Sequence, residues 1–381
     1  MALEYAQIKP DNLRWARERA HLSPDMLAKK LNTSKEKVIE WEMGKKKITF
    51  KQAQKLADKT LIPFGYLFLD RIYKEELLIP DLRTIENHAI QEPSAELLKI
   101  VEIVTEQQTW YKDYLISQNI EKNKVIGRFN VKSTIKAIVD DLRDKLNVAN
   151  HPERGNWEEY YRLLIERIED NGILVMRQSN LGHHSKPLLV EEFRGFAIFD
   201  PIAPVIFINQ ADAPSARLFT LIHELAHIWI GLSGVSDASP VTDLKEEILC
   251  NAISAEFLVP SDEFKNLWND GTEHWTDNLT ILKTTFHVST WVLARKALTL
   301  KFISLENYRE YIAQLKSDYE NAPKKKGGPS YYTTRKSQLS QIFTKALVSE
   351  ALSGRMLLRD AGLLINMKPN NISKFARELG V

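Results

Sequence analysis

The chain has 381 residues, of which 44% are hydrophobic and 27% charged, with a formal net charge of +2. That length suits two or three globular domains, and the composition excludes a disordered or fibrous chain. The charge is unevenly spread: residues 1–80 hold 16 Lys and Arg against 11 Asp and Glu, residues 321–381 hold 11 against 3, and the middle is correspondingly acidic. Basic ends around an acidic centre fit nucleic-acid contact at the ends, or contact of an end with the centre. The single Cys250 excludes an internal disulfide and suits a reducing compartment. The opening residues lack a signal-peptide layout, and no apolar run approaches the about 18 residues of a membrane span. A cytoplasmic location with no membrane partner is the expectation.

Residues 9–70 read as short helices. Leu13, Ala16 and Arg17 lie on the first, and Ser23-Pro24 supplies the second with an N-cap and a Pro in its first turn. Met26, Leu27, Ala28 and Leu31 form its apolar face. Asn32-Thr33-Ser34 turns the chain into Lys35–Met43, where Val38, Ile39 and Trp41 are apolar, and Gly44 ends that helix. Lys51–Thr60 is a further amphipathic helix. Short helices joined by a three-residue turn suit a helix-turn-helix. The run Val38-Ile39-Glu40-Trp41-Glu42-x-Gly44-Lys45 resembles the XRE-type (Cro/C1-like) domains. The resemblance implies binding of double-stranded DNA through residues 9–70. Ser34, Lys35 and Lys37 at the start of the second motif helix, and Lys45 and Lys46 after it, are the candidate contacts. Glu36 and Glu40 oppose phosphate attraction, so the alternative is a module that binds a partner's similar domain or its own copy.

Residues 71–92 read as a connector, with Pro80 inside it and Pro93 just beyond. Residues 94–119 form a long helix carrying Leu97, Ile100, Val101, Val104, Trp110, Tyr111 and Tyr114. It could pair two subunits of a homodimer or pack on the domain that follows. Helices are expected over 132–147 and 157–170. Strands are expected at Ile173–Arg177, Phe196–Phe199 and Val205–Ile208, punctuated by Asp200-Pro201 and Pro204. Such a small sheet can offer an edge to an extended substrate strand.

The next helix carries the most specific signal, His223-Glu224-Leu225-Ala226-His227. Two imidazoles at i and i+4 point the same way, one turn apart. They can hold Zn²⁺ by two nitrogens while Glu224 acts as general base on an activated water. Leu218 to Ile230 are apolar nearly all round, as in a helix inside a domain. A catalytic zinc takes three protein ligands, and residues 246–260 offer the third. There Ile248, Ala252, Ala255 and Leu258 can share a face, and Pro260 closes the helix. Glu247 and Asn251 lie one turn apart, so Glu247 completes the proposed set of one Zn²⁺ per chain and Asn251 orients a ligand His. Glu246 is the rival ligand, without a polar partner one turn on. Mn²⁺ or another divalent ion would suit the same donors.

These residues resemble the ImmA/IrrE family of metallopeptidases. The match is Arg217-x-Phe219-Thr220-x-x-His223-Glu224-x-x-His227, then Glu247-x-x-Cys250-Asn251, then Ala255-Glu256-Phe257-Leu258-Val259-Pro260. It spans about residues 130–310, including Phe286-x-Val288-Ser289 through Arg295, and Cys250 stands where the family usually has Ala. The longer three-histidine pattern fails, because position 230 is Ile and position 233 is Ser. The resemblance implies a zinc-dependent endopeptidase with a narrow protein substrate, often a helix-turn-helix repressor. A further donor to the developing oxyanion is needed, and His183, His184, His287 and Arg295 are the candidates.

Residues 322–330 read as a linker and 331–381 as helical, with Leu339, Ile342, Phe343, Ala346 and Leu347 on one face. Ala361-Gly362-Leu363-Leu364 and then Lys368–Phe375 suggest another small helical unit. This tail could bind DNA, hold the peptidase shut or complete the fold. No internal repeat of fixed period is visible. The expected fold is α+β and mostly helical: a helix-turn-helix domain over 1–72, a helical connector over 73–130, a zincin-like peptidase domain over 131–315, a linker over 316–330 and a basic helical region over 331–381. The expected activity is cleavage of a repressor-like or antitoxin-like regulator, coupled to DNA binding. The alternatives are a DNA-binding regulator or antitoxin whose peptidase fold senses or docks with little turnover, and a switch that cuts its own connector near 71–92 or 322–330.

Overall fold

The computed structural model describes residues 4–73, 93–152, 155–182, 186–236, 244–321 and 331–381. Among these, residues up to 73 together with 93–103 form one compact unit, and residues from 104 onward form a second.

The first unit is built on helices α1 (Pro10–Arg19), α2 (Pro24–Leu31), α3 (Lys35–Glu42) and α4 (Phe50–Thr60), followed by a 3₁₀ turn at Phe64–Phe68. The helix starts are fixed by local chemistry. Ser23 Oγ accepts from the Met26 N–H at 3.2 Å and Ser34 Oγ from the Lys37 N–H at 3.4 Å. Thr49 and Gln52 cap α4 reciprocally. Asn32 ends α2 in the left-handed conformation (φ 55°), which Asn tolerates better than most residues. Leu13, Ala16, Leu27, Val38, Trp41 and Leu56 close the core, so Trp41 is a core residue as its pattern predicts. Arg17 and Glu42 add a buried ion pair, Nε to Oε1 at 2.5 Å.

Helix α5 (Ala95–Ser117) begins in the first unit and continues in the second. Its later part packs on its own chain: Gln107 Nε2 donates to the Leu364 carbonyl, Gln108 Nε2 to the Ala203 carbonyl, both at 2.7 Å, and Lys112 pairs with Asp200 at 2.6 Å. Of the two roles expected for this helix, packing on the following domain is the one seen.

In the second unit, α6 (Ile135–Leu146) and α7 (Trp157–Asp170) precede a four-stranded sheet of β1 (Leu174–Gln178), β2 (Gly195–Ile198), β3 (Val205–Asn209) and β4 (Gly234–Ser236). The order is β1-β3-β2-β4, with β1 parallel to β3 and the other pairs antiparallel. The strand expectations meet β1, β2 and β3. The edge strand β4 has only three residues and no alternation to read. Helix α8 (Pro214–Ile230) packs on β2 and β3 and against α9 (Lys245–Leu258). The buried face of α9 is Cys250, Ile253, Ser254, Phe257 and Leu258, whereas Ile248 is half exposed. This corrects the expected apolar face: turning Cys250 and Phe257 inward buries more surface than turning in two alanines.

Helices α10 (Ser261–Leu267), α11 (Trp275–Phe286), α12 (Thr290–Thr299) and α13 (Leu305–Asn321) complete this core, and α14 (Tyr331–Gln338), α15 (Gln341–Leu352), α16 (Leu358–Leu364) and α17 (Ile372–Leu379) form the tail. The tail docks on the β1 side of the sheet. The Ser340 N–H meets Met176 Sδ at 3.3 Å, and the Gln341 N–H donates to Glu169 Oε1 at 3.0 Å. The tail therefore completes the fold at the edge opposite β4. The fold is α+β and mostly helical, as expected. Of the expected linker 316–330, residues 316–321 are the end of α13, and 322–330 lie outside the described residues. No described helix is long and apolar enough to cross a membrane.

Candidate metal centre

Helix α8 is held from every side. Leu221, Ile222, Leu225, Ala226, Ile228 and Trp229 are fully buried, Pro214 sits in its first turn, and Gly231 (φ 76°) ends it. A polar residue on such a helix must find a partner within the protein. His223 and His227 find each other and Glu247 of α9. Their ligand atoms all lie within 4.8 Å of one another and could hold a metal ion. His223 Nε2 is 3.0 Å from Glu247 Oε2, His227 Nε2 is 2.9 Å from Glu247 Oε1, and the two Nε2 atoms are 3.1 Å apart. Glu246 is not among the grouped side chains.

The electrostatics follow from burial and pairing. Burial alone would raise the Glu247 carboxyl, but hydrogen bonds from both imidazoles hold it well below the usual carboxylate range. Burial alone would lower His223; Glu247, then Glu224 and a hydrogen bond with Asn251, reverse this and raise it. Asn251 lies on α9, one turn after Glu247 and on the His223 side. Two imidazoles and a carboxylate aimed at one point are a donor set that suits Zn²⁺.

Glu224 is fully buried and neither carboxylate oxygen makes a well-formed hydrogen bond among the described residues. Burial pushes its pKa up to about 8, while His223 and the Ser236 side chain favour the charged form. Strongly shifted, buried carboxyls of this kind cluster at functional sites. The space for Glu224 is provided by Gly195 on β2, where a Cβ would lie 2.8 Å from Glu224 Oε1, from the Phe207 carbonyl and from Thr220 Cγ2. Gly195 pairs in register with Ser236 of the edge strand β4, so both residues of this pair lie beside Glu224. Sequence reasoning missed both, since neither a lone Gly nor a lone Ser carries a pattern.

Aromatic rings border the histidines. Phe219 lies one turn before His223, with centroids 6.3 Å apart, and meets the Trp291 ring edge-on at 5.9 Å. Arg194 lies over Trp291 at 5.9 Å. Cys250 is buried, and burial raises its thiol well above the ordinary value, so it is a packing residue. Behind the site, Lys296 Nζ meets Glu256 Oε2 at 2.7 Å, and Glu256 accepts from the Ser261 N–H and hydroxyl. Arg143 donates to the Phe257 carbonyl at 2.8 Å, closing the end of α9. Among the oxyanion candidates, His287 ends α11 in a left-handed turn (φ 53°) and Arg295 lies over the Tyr308 ring at 5.8 Å. His183 and His184 lie outside the described residues.

In the first unit, Ser34, Lys35, Lys37, Lys45 and Lys46 are all exposed around α3. The Ser34 hydroxyl serves as the helix cap, and Lys46 pairs with Glu40 at 2.7 Å. Lys35, Lys37 and Lys45 therefore present the more available cationic groups.

Three family models match the chain. Residues 13–67 match a helix-turn-helix model, residues 168–298 the IrrE N-terminal-like domain of the peptidase M78 family, and residues 339–378 a domain of unknown function (DUF8813). The search of curated proteins returned no match. By the helical module around α2 and α3, and by the sheet and two-histidine helix with its carboxylate partner, the chain joins a helix-turn-helix domain to a peptidase M78 domain of the IrrE N-terminal type.

Proposed function

We propose that this protein is a zinc-dependent endopeptidase that cleaves a specific protein substrate, a helix-turn-helix repressor or antitoxin-like regulator, and that its amino-terminal module brings it to DNA. The observation that carries the reading is the convergence of His223, His227 and Glu247 beside the buried Glu224 carboxyl.

In this reading His223, His227 and Glu247 hold the ion. A divalent ion there supplies a Lewis acid that polarises a peptide carbonyl and makes water more acidic. Glu224 then takes the proton of the attacking water at a carboxylate oxygen and passes it to the leaving amine, a role typically worth about 10²–10⁴-fold. Its burial keeps bulk water from competing for that proton, and Gly195 leaves it room to turn. Asn251 holds the His223 ring in place. Among the described residues β4 is an edge strand of the sheet, and such an edge can pair with an extended segment of substrate.

The test is cleavage of candidate helix-turn-helix regulators by the wild-type protein and by Glu224→Gln, with metal content measured in parallel. The reading requires cleavage by the wild type alone and equal metal in both. Metal retained by both proteins with no cleavage by either, and DNA binding intact, would move the weight to a regulator that uses this fold as a sensor.

A further inference from the structure

We infer that the carboxy-terminal unit, α15 to α17, is a second helix-turn-helix and that it binds double-stranded DNA through α17. The two ends of the chain correspond. At one constant offset, Leu27, Ala28, Leu31, Asn32, Val38 and Trp41 of the first module align with Ala361, Gly362, Ile365, Asn366, Ile372 and Phe375. Every apolar member of both sets is buried. Asn32 and Asn366 are both left-handed, with φ 55° and 47°.

The backbone bonds repeat at the same offset. The Leu27 N–H donates to the Ser23 carbonyl and the Ala361 N–H to the Leu357 carbonyl, both at 3.0 Å. Asn32 donates to Lys29 at 3.3 Å and Asn366 to Leu363 at 3.2 Å; Thr33 donates to Ala28 at 3.0 Å and Met367 to Gly362 at 2.8 Å. The turn between the two helices is therefore built the same way twice. Its tightest point is Gly362, where a Cβ would lie 2.5 Å from the Met367 carbonyl; the first module has the small Ala28 there. Helix α15 packs on both α16 and α17, as α1 packs on α3. Two copies make no periodic array, and only Asn366 is identical to its counterpart among these positions, so the sequence pattern stays hidden until the turn geometry is seen.

The exposed surface of the second helix decides the ligand. In α3 the lysines alternate with Glu36 and Glu40. The corresponding surface at α17 presents Lys368, Asn370, Ser373, Lys374 and Arg377, all exposed, with Glu378 as its acid. Residues 331–381 hold eight Lys and Arg against three Asp and Glu. Two of those acids are already engaged, Glu350 by Arg355 at 2.6 Å and Asp360 by Arg359 at 3.1 Å. A helix-turn-helix places the start of its second helix in the major groove, with cations on the flanking phosphates. Asn370 and Ser373 have the chemistry for base edges, and Lys368, Lys374 and Arg377 that for phosphates.

The test uses the full-length protein and a labelled pool of duplexes of randomised sequence, titrated at several salt concentrations. The triple variant Lys368→Gln, Lys374→Gln, Arg377→Gln should weaken binding at least tenfold and reduce the slope of log affinity against log salt by about 2–3. Lys374 also lies over the Tyr332 ring at 4.8 Å. The double variant Lys368→Gln, Arg377→Gln leaves that contact intact and should still lower the slope by about 2. Unchanged affinity and slope in both variants, with an unchanged thermal melt, overturns the inference and leaves α15–α17 as a protein-docking unit.

Discussion

Gly195 on β2 and Glu224 on α8 share one space: a Cβ at position 195 would lie 2.8 Å from Glu224 Oε1. The sheet therefore reaches the site through an absent side chain. Gly195→Ala must displace either the carboxylate or the Phe207 carbonyl, and the backbone carbonyl is the harder to move. We expect turnover to fall by about 10²-fold or more, as when a general base is misplaced. Metal content should stay at wild-type level, since the three atoms nearest that Cβ belong to Glu224, Phe207 and Thr220 and not to His223, His227 or Glu247. Elemental analysis beside a cleavage assay checks this, and full activity in the alanine variant would sink the assigned role of Glu224.

Glu247 comes from a different helix than the two histidines, so its removal tests whether the cluster is a metal site at all. Wild-type protein washed with mild chelator should retain about one zinc per chain, as a three-ligand site does, and Glu247→Ala should lose it. Asn251→Ala should weaken retention by about 10–100-fold, because it frees the His223 ring. A Glu247→Ala protein that keeps its metal would move the ligand role elsewhere.

Glu256 and Lys296 make a pH-dependent strut behind α9. Burial opposes charge on Glu256, yet Lys296 and Ser261 hold its carboxyl below the ordinary value. A depressed carboxyl contributes stability that is present above its unfolded pKa and is lost as pH falls through the folded one. Wild-type stability should therefore decline below about pH 4.5, the unfolded value. In Lys296→Met that part of the acid dependence should flatten. Glu256→Ala, which strands the buried Lys296 ammonium, should cost about 3–5 kcal/mol at neutral pH. Denaturant melts across the acid range measure both.

The first unit has its own internal brace. Glu42 is buried against Arg17, and Glu42→Ala leaves that guanidinium without its carboxylate, at a cost of about 3–5 kcal/mol. DNA binding through α3 should drop with this loss, while metal retention by His223, His227 and Glu247 stays unchanged. Binding titrations and elemental analysis on the same preparation separate the two. Surface substitutions Lys35→Gln and Lys37→Gln should instead lower the salt slope by about 2 without affecting the melt.

Much of this protein is legible one segment at a time. Ser23-Pro24, Asn32 and Gly44 announce the ends of the first helices because caps and left-handed turns are local chemistry. His223 and His227 fall together because helical periodicity alone places i and i+4 side by side. Glu247 could be proposed as their partner from its spacing to Asn251. Other features are set by non-local packing. The apolar pattern of α9 allowed two faces, and burial of Cys250 and Phe257 chose the one that includes neither Ile248 nor Ala252.

The helices of the first module, their caps and the pairing of His223 with His227 on one helix face can be read from the residues alone, since these follow from neighbours within a turn or two. The space around them comes from the fold: the bare Cα of Gly195 under Glu224, the three-residue strand that carries Ser236, and the second turn around Asn366. Each of these depends on backbone approaching backbone or side chain from distant parts of the chain. Such an approach leaves no periodic trace in the residues that permit it.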